Sequence, residues 1–164
     1  EASSRLESGR ARQAVLTGRL AGYDRIAEWQ TLVAAATWKS GWNLDRDTQF
    51  LLGGDSGLRG YPVRRFSGDR SLLVAVEDRV TLADNVLSIF SFGLAAFADT
   101  GYAWPEGQPM ALADLKSDIG GGLRFAFPRG PYGATLRFDA AYALNAVPGV
   151  TDRWFLSIGF GPTF

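Results

Sequence analysis

"RWFLSIGFGPTF", residues 153–164, alternates with a period of two. Trp154, Leu156, Ile158, Phe160, Pro162 and Phe164 fall on one face, and Arg153, Phe155, Ser157, Gly159, Gly161 and Thr163 on the other. Successive side chains of a β-strand point to opposite sides, so this period reads as a strand with one greasy and one small face. "ATLRFDAAYALN" (134–145) repeats the pattern, with Leu136, Phe138, Ala140, Tyr142 and Leu144 opposed to Thr135, Arg137, Asp139, Ala141 and Ala143. In "DIGGGLRFAF" (118–127), Ile119, Leu123, Phe125 and Phe127 oppose Gly120, Gly122, Arg124 and Ala126. A soluble sandwich alternates too, but here the polar face is Gly, Ala, Ser and Thr with isolated charges of both signs. Large aromatic and aliphatic residues fill the other face. That division suits a wall with lipid outside and a polar lumen inside.

The fold class read from these segments is all-β: an antiparallel transmembrane β-barrel with about seven or eight strands in this chain. Seven strands are expected at about 12–22, 28–42, 70–81, 87–102, 118–127, 134–145 and 153–164. Each reaches the nine to eleven or so residues that cross a bilayer at a tilt. Short links with turn chemistry, "YDRIA", "LADNV" and "PRGPYG", alternate with longer ones, as periplasmic turns alternate with outer loops. Tyr102, Trp104, Trp154, Tyr142, Trp38 and Trp42 lie near strand ends, where an interfacial aromatic girdle belongs. Seven strands leave two bare edges and an odd count, which lipid does not tolerate. The expectation is therefore a single barrel domain over 1–164 that is the C-terminal part of a larger barrel, that has a further strand at "DTQFLLG" (47–53), or that other chains complete.

Composition narrows the chemistry. The chain has 164 residues, zero formal net charge, 20 glycines, and 17 cations of which only Lys39 and Lys116 are lysine. Arginine keeps its charge and pairs multidentately where water is scarce. With no net positive charge, no nucleic-acid partner is expected. There is no histidine and no cysteine, so a Ser-His-Asp or Cys-His nucleophile and a zinc-thiolate site are excluded. No cofactor or metal is expected, and no enzymatic activity. No apolar run approaches the 18 or so residues of a spanning helix. The chain does not begin with Met and shows no signal-peptide pattern, so it reads as a processed or excised piece.

"FLLGGDSGLRGYP" (50–62) crowds glycines around a single cation, Arg59. It lacks the Lys-Ser/Thr of a phosphate-binding loop, and no helical pattern follows it. On the neighbouring strands, alternation puts Glu77 with Ala75 and Arg79, and Asp99 with Ser91, Gly93, Ala95 and Phe97, on the inward side. Arg19, Arg124, Arg137, Asp139 and Arg153 also point inward, either as structural ion pairs or as a weakly positive lining.

The same residues resemble the BamA/TamA superfamily of outer-membrane assembly and translocation factors. "FLLGGDSGLRGYP" is similar to the signature of the superfamily's sixth extracellular loop, "LLVAVEDRV" (72–80) to the next strand, and "AAFADTGYAW" (95–104) to the one after. "GGGLRFAFPRGPYGATLRFDAAYAL" (120–144) resembles the following hairpin, and "FGPTF" the aromatic C-terminus. The resemblance covers about residues 45–164 and implies a loop at about 43–69 folded into the lumen. Its motif residues Gly53, Gly54, Leu58, Gly60 and Tyr61 would let Arg59 reach Glu77 and Asp99 as a latch, with Phe164 as the signal for barrel insertion. It further implies a larger barrel of about 16 strands in the bacterial outer membrane. Its partners would be outer-membrane lipid, client outer-membrane or secreted proteins, and further strands or chains that complete the wall. The function implied is insertion or translocation of other proteins. The alternatives are a two-partner secretion pore, a passive anchor for an upstream enzyme, and a small porin built from several chains.

Overall fold

The computed structural model describes residues 2–7, 10–127 and 135–161. Ten strands follow in chain order: β1 (Ala2–Glu7), β2 (Arg10–Ala27), β3 (Gln30–Trp42), β4 (Phe50–Leu52), β5 (Phe66–Gly68), β6 (Arg70–Val86), β7 (Phe90–Trp104), β8 (Lys116–Ala126), β9 (Thr135–Ala143) and β10 (Trp154–Gly161). Eight of them form one antiparallel sheet in the order β1-β2-β3-β6-β7-β8-β9-β10, and β4 and β5 pair only with each other. Each wall strand therefore lies beside its neighbour in the chain, as in an up-and-down barrel wall. Among the described residues β1 and β10 are the two edges.

Three expectations need correction. The strand beyond the expected seven is β1, which precedes them; the candidate at 47–53 instead yields β4, a three-residue piece of a hairpin inside the loop. The wall strands β2 and β6 also run further than alternation indicated. "YDRIA" and "LADNV" are bulged strand ends rather than turns, with register shifts between Asp24 and Ala27 and between Thr81 and Val86. A bulge inserts an unpaired residue into the ladder, which lets turn-type residues stay in a strand and lengthens the drifted register. The turns proper are at 28–29 and 87–89, where Leu87 and Ser88 take positive φ. "PRGPYG" (128–133) and Phe164 lie outside the described residues.

The girdle is the third correction. Trp154, Trp38 and Trp42 are exposed on the outer surface at 66%, 40% and 38%. Trp104 is buried where Gly68, at the end of the β4–β5 hairpin, passes close to its backbone. The Tyr102 ring sits 5.8 Å from that of Phe66 in the same hairpin. These two aromatics cover the loop because the loop presents apolar surface at that end of the wall.

Register places the faces. Along β7, Gly93, Ala95, Phe97, Asp99 and Gly101 are buried while Leu94, Ala96 and Ala98 are exposed. On β10, Leu156, Ile158 and Phe160 are 70–85% exposed while Phe155, Ser157 and Gly159 are shielded. Residues of β2 and β3 line one cavity together with residues of β9 and β10, so the sheet bends into a trough with the small and charged face inside. Long links, 43–69, 105–115 and 144–153, all leave one end of this trough, and the turns at 28–29 and 87–89 leave the other.

A charge on the outer face should be costly at mid-wall. Leu123→Arg is expected to lower stability by about 2–4 kcal/mol, measured by urea-dependent refolding into lipid vesicles, whereas Ser157→Asn on the inner face should change it little.

Candidate functional site

The segment between β3 and β6 turns back over the inner face of the sheet. It is held first by apolar packing: Leu52, Leu58, Tyr61 and Phe66 cluster with Ala103, Ala143 and Val147, and Leu73, Tyr102 and Val150 pack against them. Full burial of a residue such as Leu58 or Phe66 contributes about 1.5–3 kcal/mol. Its own backbone bonds make it compact: Gly53 N–H donates to Gly57 O at 2.8 Å, and Tyr61 N–H to Leu58 O at 3.1 Å. Gly53 has φ +119°, and any side chain there would strike the Pro62 carbonyl. At Gly60 an added Cβ would lie 2.5 Å from Asp118 Cβ and 3.1 Å from Ala143 N, so the loop rests directly on the wall. Gly54 is buried in the same turn. Leu58, between these points, is fully buried with φ +58°, a left-handed conformation that costs a non-glycine residue about 1–3 kcal/mol.

That backbone path delivers Arg59 into the sheet. Its Nε donates to Asp99 Oδ2 at 2.8 Å and its Nη2 to Asp99 Oδ1 at 2.9 Å, a two-point pairing. Nη1 donates to Glu77 Oε2 at 2.7 Å and lies 3.5 Å from Asp139 Oδ2. The guanidinium carbon stands 3.4 Å from the centre of the Phe97 ring, so the cation rests on an aromatic face. Burial alone would favour loss of the Arg59 proton. The bonds and charges of Asp99 and Glu77 outweigh it, and Arg59 holds its proton more firmly than a free arginine. The sequence-expected trio thus meets in space, with Glu77 fully buried and Asp99 3% exposed.

The cluster is larger than the trio. Arg124 Nε donates to Glu77 Oε1 at 3.0 Å and its Nη1 to Asp139 Oδ1 at 2.5 Å; Arg79 Nε donates to Glu77 Oε1 at 2.8 Å. Three arginines and three carboxylates from the loop, β6, β7, β8 and β9 therefore close one network. Alternation had placed Arg124 and Asp139 on the inner face, but no pattern in the sequence says how far across the wall the loop reaches. Arg153 is not part of it: its Nη1 donates to the Leu144 carbonyl at 3.3 Å, at the long-link end of the wall.

Two further contacts fix the loop's far side. The Tyr61 hydroxyl donates to Ser117 O at 2.9 Å and accepts from Asn145 N–H at 3.3 Å. Burial, helped by the charge of Asp118, raises the Tyr61 phenol above its ordinary range, so it stays a neutral donor. Arg65 Nη2 donates to Pro148 O at 2.6 Å. Asp118 is an anomaly that sequence reading passed over. It is fully buried, stands directly across from Asp99 on the neighbouring strand, and neither of its oxygens has a hydrogen-bond partner among the described residues.

Among the described residues no group of acidic side chains is arranged to hold a metal ion. What the geometry defines is an antiparallel barrel wall with an interior loop pinned to it by a guanidinium. The Omp85 superfamily domain matches residues 17–164, and the chain belongs to that superfamily, the one its sequence motifs resemble. The superfamily comprises outer-membrane β-barrels that assemble or translocate proteins. No curated protein matches the chain.

Removing one partner of a buried ion cluster strands the others. Arg59→Ala is expected to destabilise the loop by about 3–5 kcal/mol, and limited proteolysis should then cut within 43–69 where the native protein resists. Arg59→Lys should restore protection only in part, because an ammonium lacks the two-point fit to Asp99. Asp118→Asn removes a charge facing Asp99 and should raise stability by up to about 1 kcal/mol, read as a higher midpoint in the same refolding assay.

Proposed function

We propose that the chain is part of a non-enzymatic barrel of the bacterial outer membrane that assists the insertion and assembly of other proteins. In this reading the loop at 43–69 is a latch, and Arg59 with Glu77 and Asp99 is its bolt. The observation that supports it is the burial of the whole Arg59 guanidinium among carboxylates of adjacent strands. A buried cluster of this kind contributes little net stability compared with apolar packing, so its value lies in fixing one position of the loop. Membership of the Omp85 superfamily supports the setting. The partners are outer-membrane lipid at the exposed aromatic face, client barrel proteins or secreted proteins, and additional strands that complete the wall. Gly53, Gly54, Leu58, Gly60 and Tyr61 shape the loop for Arg59. Phe164 would serve as the insertion signal for the chain itself.

The mechanism follows from the edges. A wall strand with unpaired backbone groups is a template for another strand. A latched loop keeps the lumen filled and the wall in one shape while an incoming strand pairs at the edge. Chemistry on the client is not required, and the chain has neither histidine nor cysteine with which to build a nucleophile–base pair.

The test is made in the full-length protein in its own bacterium. With Arg59→Ala at native expression, the amount of folded outer-membrane barrel proteins, scored by heat-modifiable mobility on gels, should fall several-fold, while Ser67→Ala, exposed on the loop's hairpin, leaves it nearly unchanged. Normal barrel levels with Arg59→Ala, in a strain where the protein itself is present and folded, would remove the latch from the mechanism.

A further inference from the structure

The arginines of the cluster are matched by its carboxylates. Three other interior cations are not. A cavity of about 650 Å³ opens between the loop, the β2–β3 flank and the β9–β10 flank, and Arg19, Lys39 and Arg137 line it. No ion pair joins any of the three to a carboxylate among the described residues, although Lys39 stands 5.6 Å from the Phe50 ring. Arg137 is the most constrained. It lies across from Arg124 on β8, whose charge is already met by Glu77 and Asp139. On its other side it faces Gly159 of β10, where an added Cβ would come within 2.7 Å of its Nη2. Its Nε is buried and has no hydrogen-bond partner among the described residues. Asp55 also lines the cavity, exposed at its loop side as Arg19 is on the β2 side, and the two other acids that line it, Asp99 and Asp139, are held by Arg59 and Arg124. The cavity thus carries more positive charge than its own acids neutralise.

Spacing indicates what fits. Arg19 is registered with Thr37, and Lys39 with Thr17, so Arg19 and Lys39 are diagonal neighbours on the inner face of β2 and β3. Diagonal positions are about 7–8 Å apart. An extended chain projects every second side chain to one side at about 6.6–6.8 Å. Two carboxylates two residues apart on an extended chain match the Arg19–Lys39 pair, and Arg137 faces them from the opposite flank. A single compact anion fits this separation poorly. Thr37 and Ser157 supply hydroxyls along the way.

We propose that this cavity is a docking site for an acidic stretch of an extended polypeptide, with Arg19 and Lys39 taking alternate carboxylates from one wall and Arg137 a third from the other. The proposal deepens the protein-handling reading above and rests on it for the origin of the segment. Steering by the unpaired cations would make capture fast and sensitive to salt.

The experiment uses the full-length protein in detergent micelles and a fluorescein-labelled peptide in which Glu alternates with Thr, followed by anisotropy. Saturable binding that weakens as salt rises is expected, and the same peptide with Gln for Glu should not bind. Each of Lys39→Gln and Arg137→Gln should weaken binding about tenfold, the loss of one charge-assisted contact, while Arg137→Lys keeps most of it. Heat-modifiable mobility and a protease-resistant loop show that the variants are folded. Equal binding of the neutral peptide, no change in the Gln variants, or displacement by inorganic phosphate as effective as by unlabelled peptide would each overturn the proposal. Because the readout is peptide binding in vitro, its failure alongside the assembly defect of Arg59→Ala removes this site alone, and normal assembly with Arg59→Ala while peptide binding stays intact removes only the latch reading.

Discussion

One guanidinium shared among buried carboxylates governs the interior of this wall. Glu77 is fully enclosed and has arginines from three places against it: the loop, its own strand and β8. In a low-dielectric interior such a carboxylate is tolerable only while its partners stay in place. The dependence runs both ways. Arg59 is buried because the acids are there, and the acids are buried because Arg59, Arg79 and Arg124 are there. The result is an interaction that is nearly all-or-none: the loop is either seated with Arg59 matched to Glu77 and Asp99, or withdrawn with those charges left bare.

Getting the cation to that point is a backbone problem, and the loop solves it with residue types suited to each step. Gly60 lets the chain lie against β8 and β9 with no side chain between. Leu58 accepts an unfavourable φ because its side chain is fully buried in return. Phe66 and Tyr61 meet edge to face at 5.3 Å and close the apolar layer above the ions. The inward small residues of β7 and β8 leave room for the cluster beneath the loop. Apolar packing holds the loop down; the charges decide where it sits.

Much of this was legible in the sequence, for identifiable reasons. Period-two alternation reports the face of each residue directly, so Glu77, Asp99, Arg124 and Asp139 could all be placed inward before any coordinates. The pattern is silent on register between strands, and register is what sets Asp118 opposite Asp99 and Arg137 opposite Arg124. It is equally silent on bulges: residues such as Asp24 and Asn85 have turn chemistry, yet here they extend strands beyond the ideal ladder. The first strand was missed because "ASSRLE" is short and mostly polar. Trp104 and Tyr102 were misassigned because alternation cannot foresee a folded-back hairpin arriving at a strand end.

The ion network also divides the wall mechanically. Side-chain bonds cross-brace four consecutive strands, β6 to β9, through Glu77, Asp99, Arg124 and Asp139. On the β2–β3 flank, side-chain bonds such as Gln13 to Asp45 and Gln30 to Asp78 lie toward the strand ends. Shear between strands is therefore resisted in the braced sector and resisted mainly by backbone ladders outside it. When lipid pressure or a guest strand strains the sheet, curvature and tilt should adjust first in the unbraced flanks, while the braced sector moves as a rigid plate.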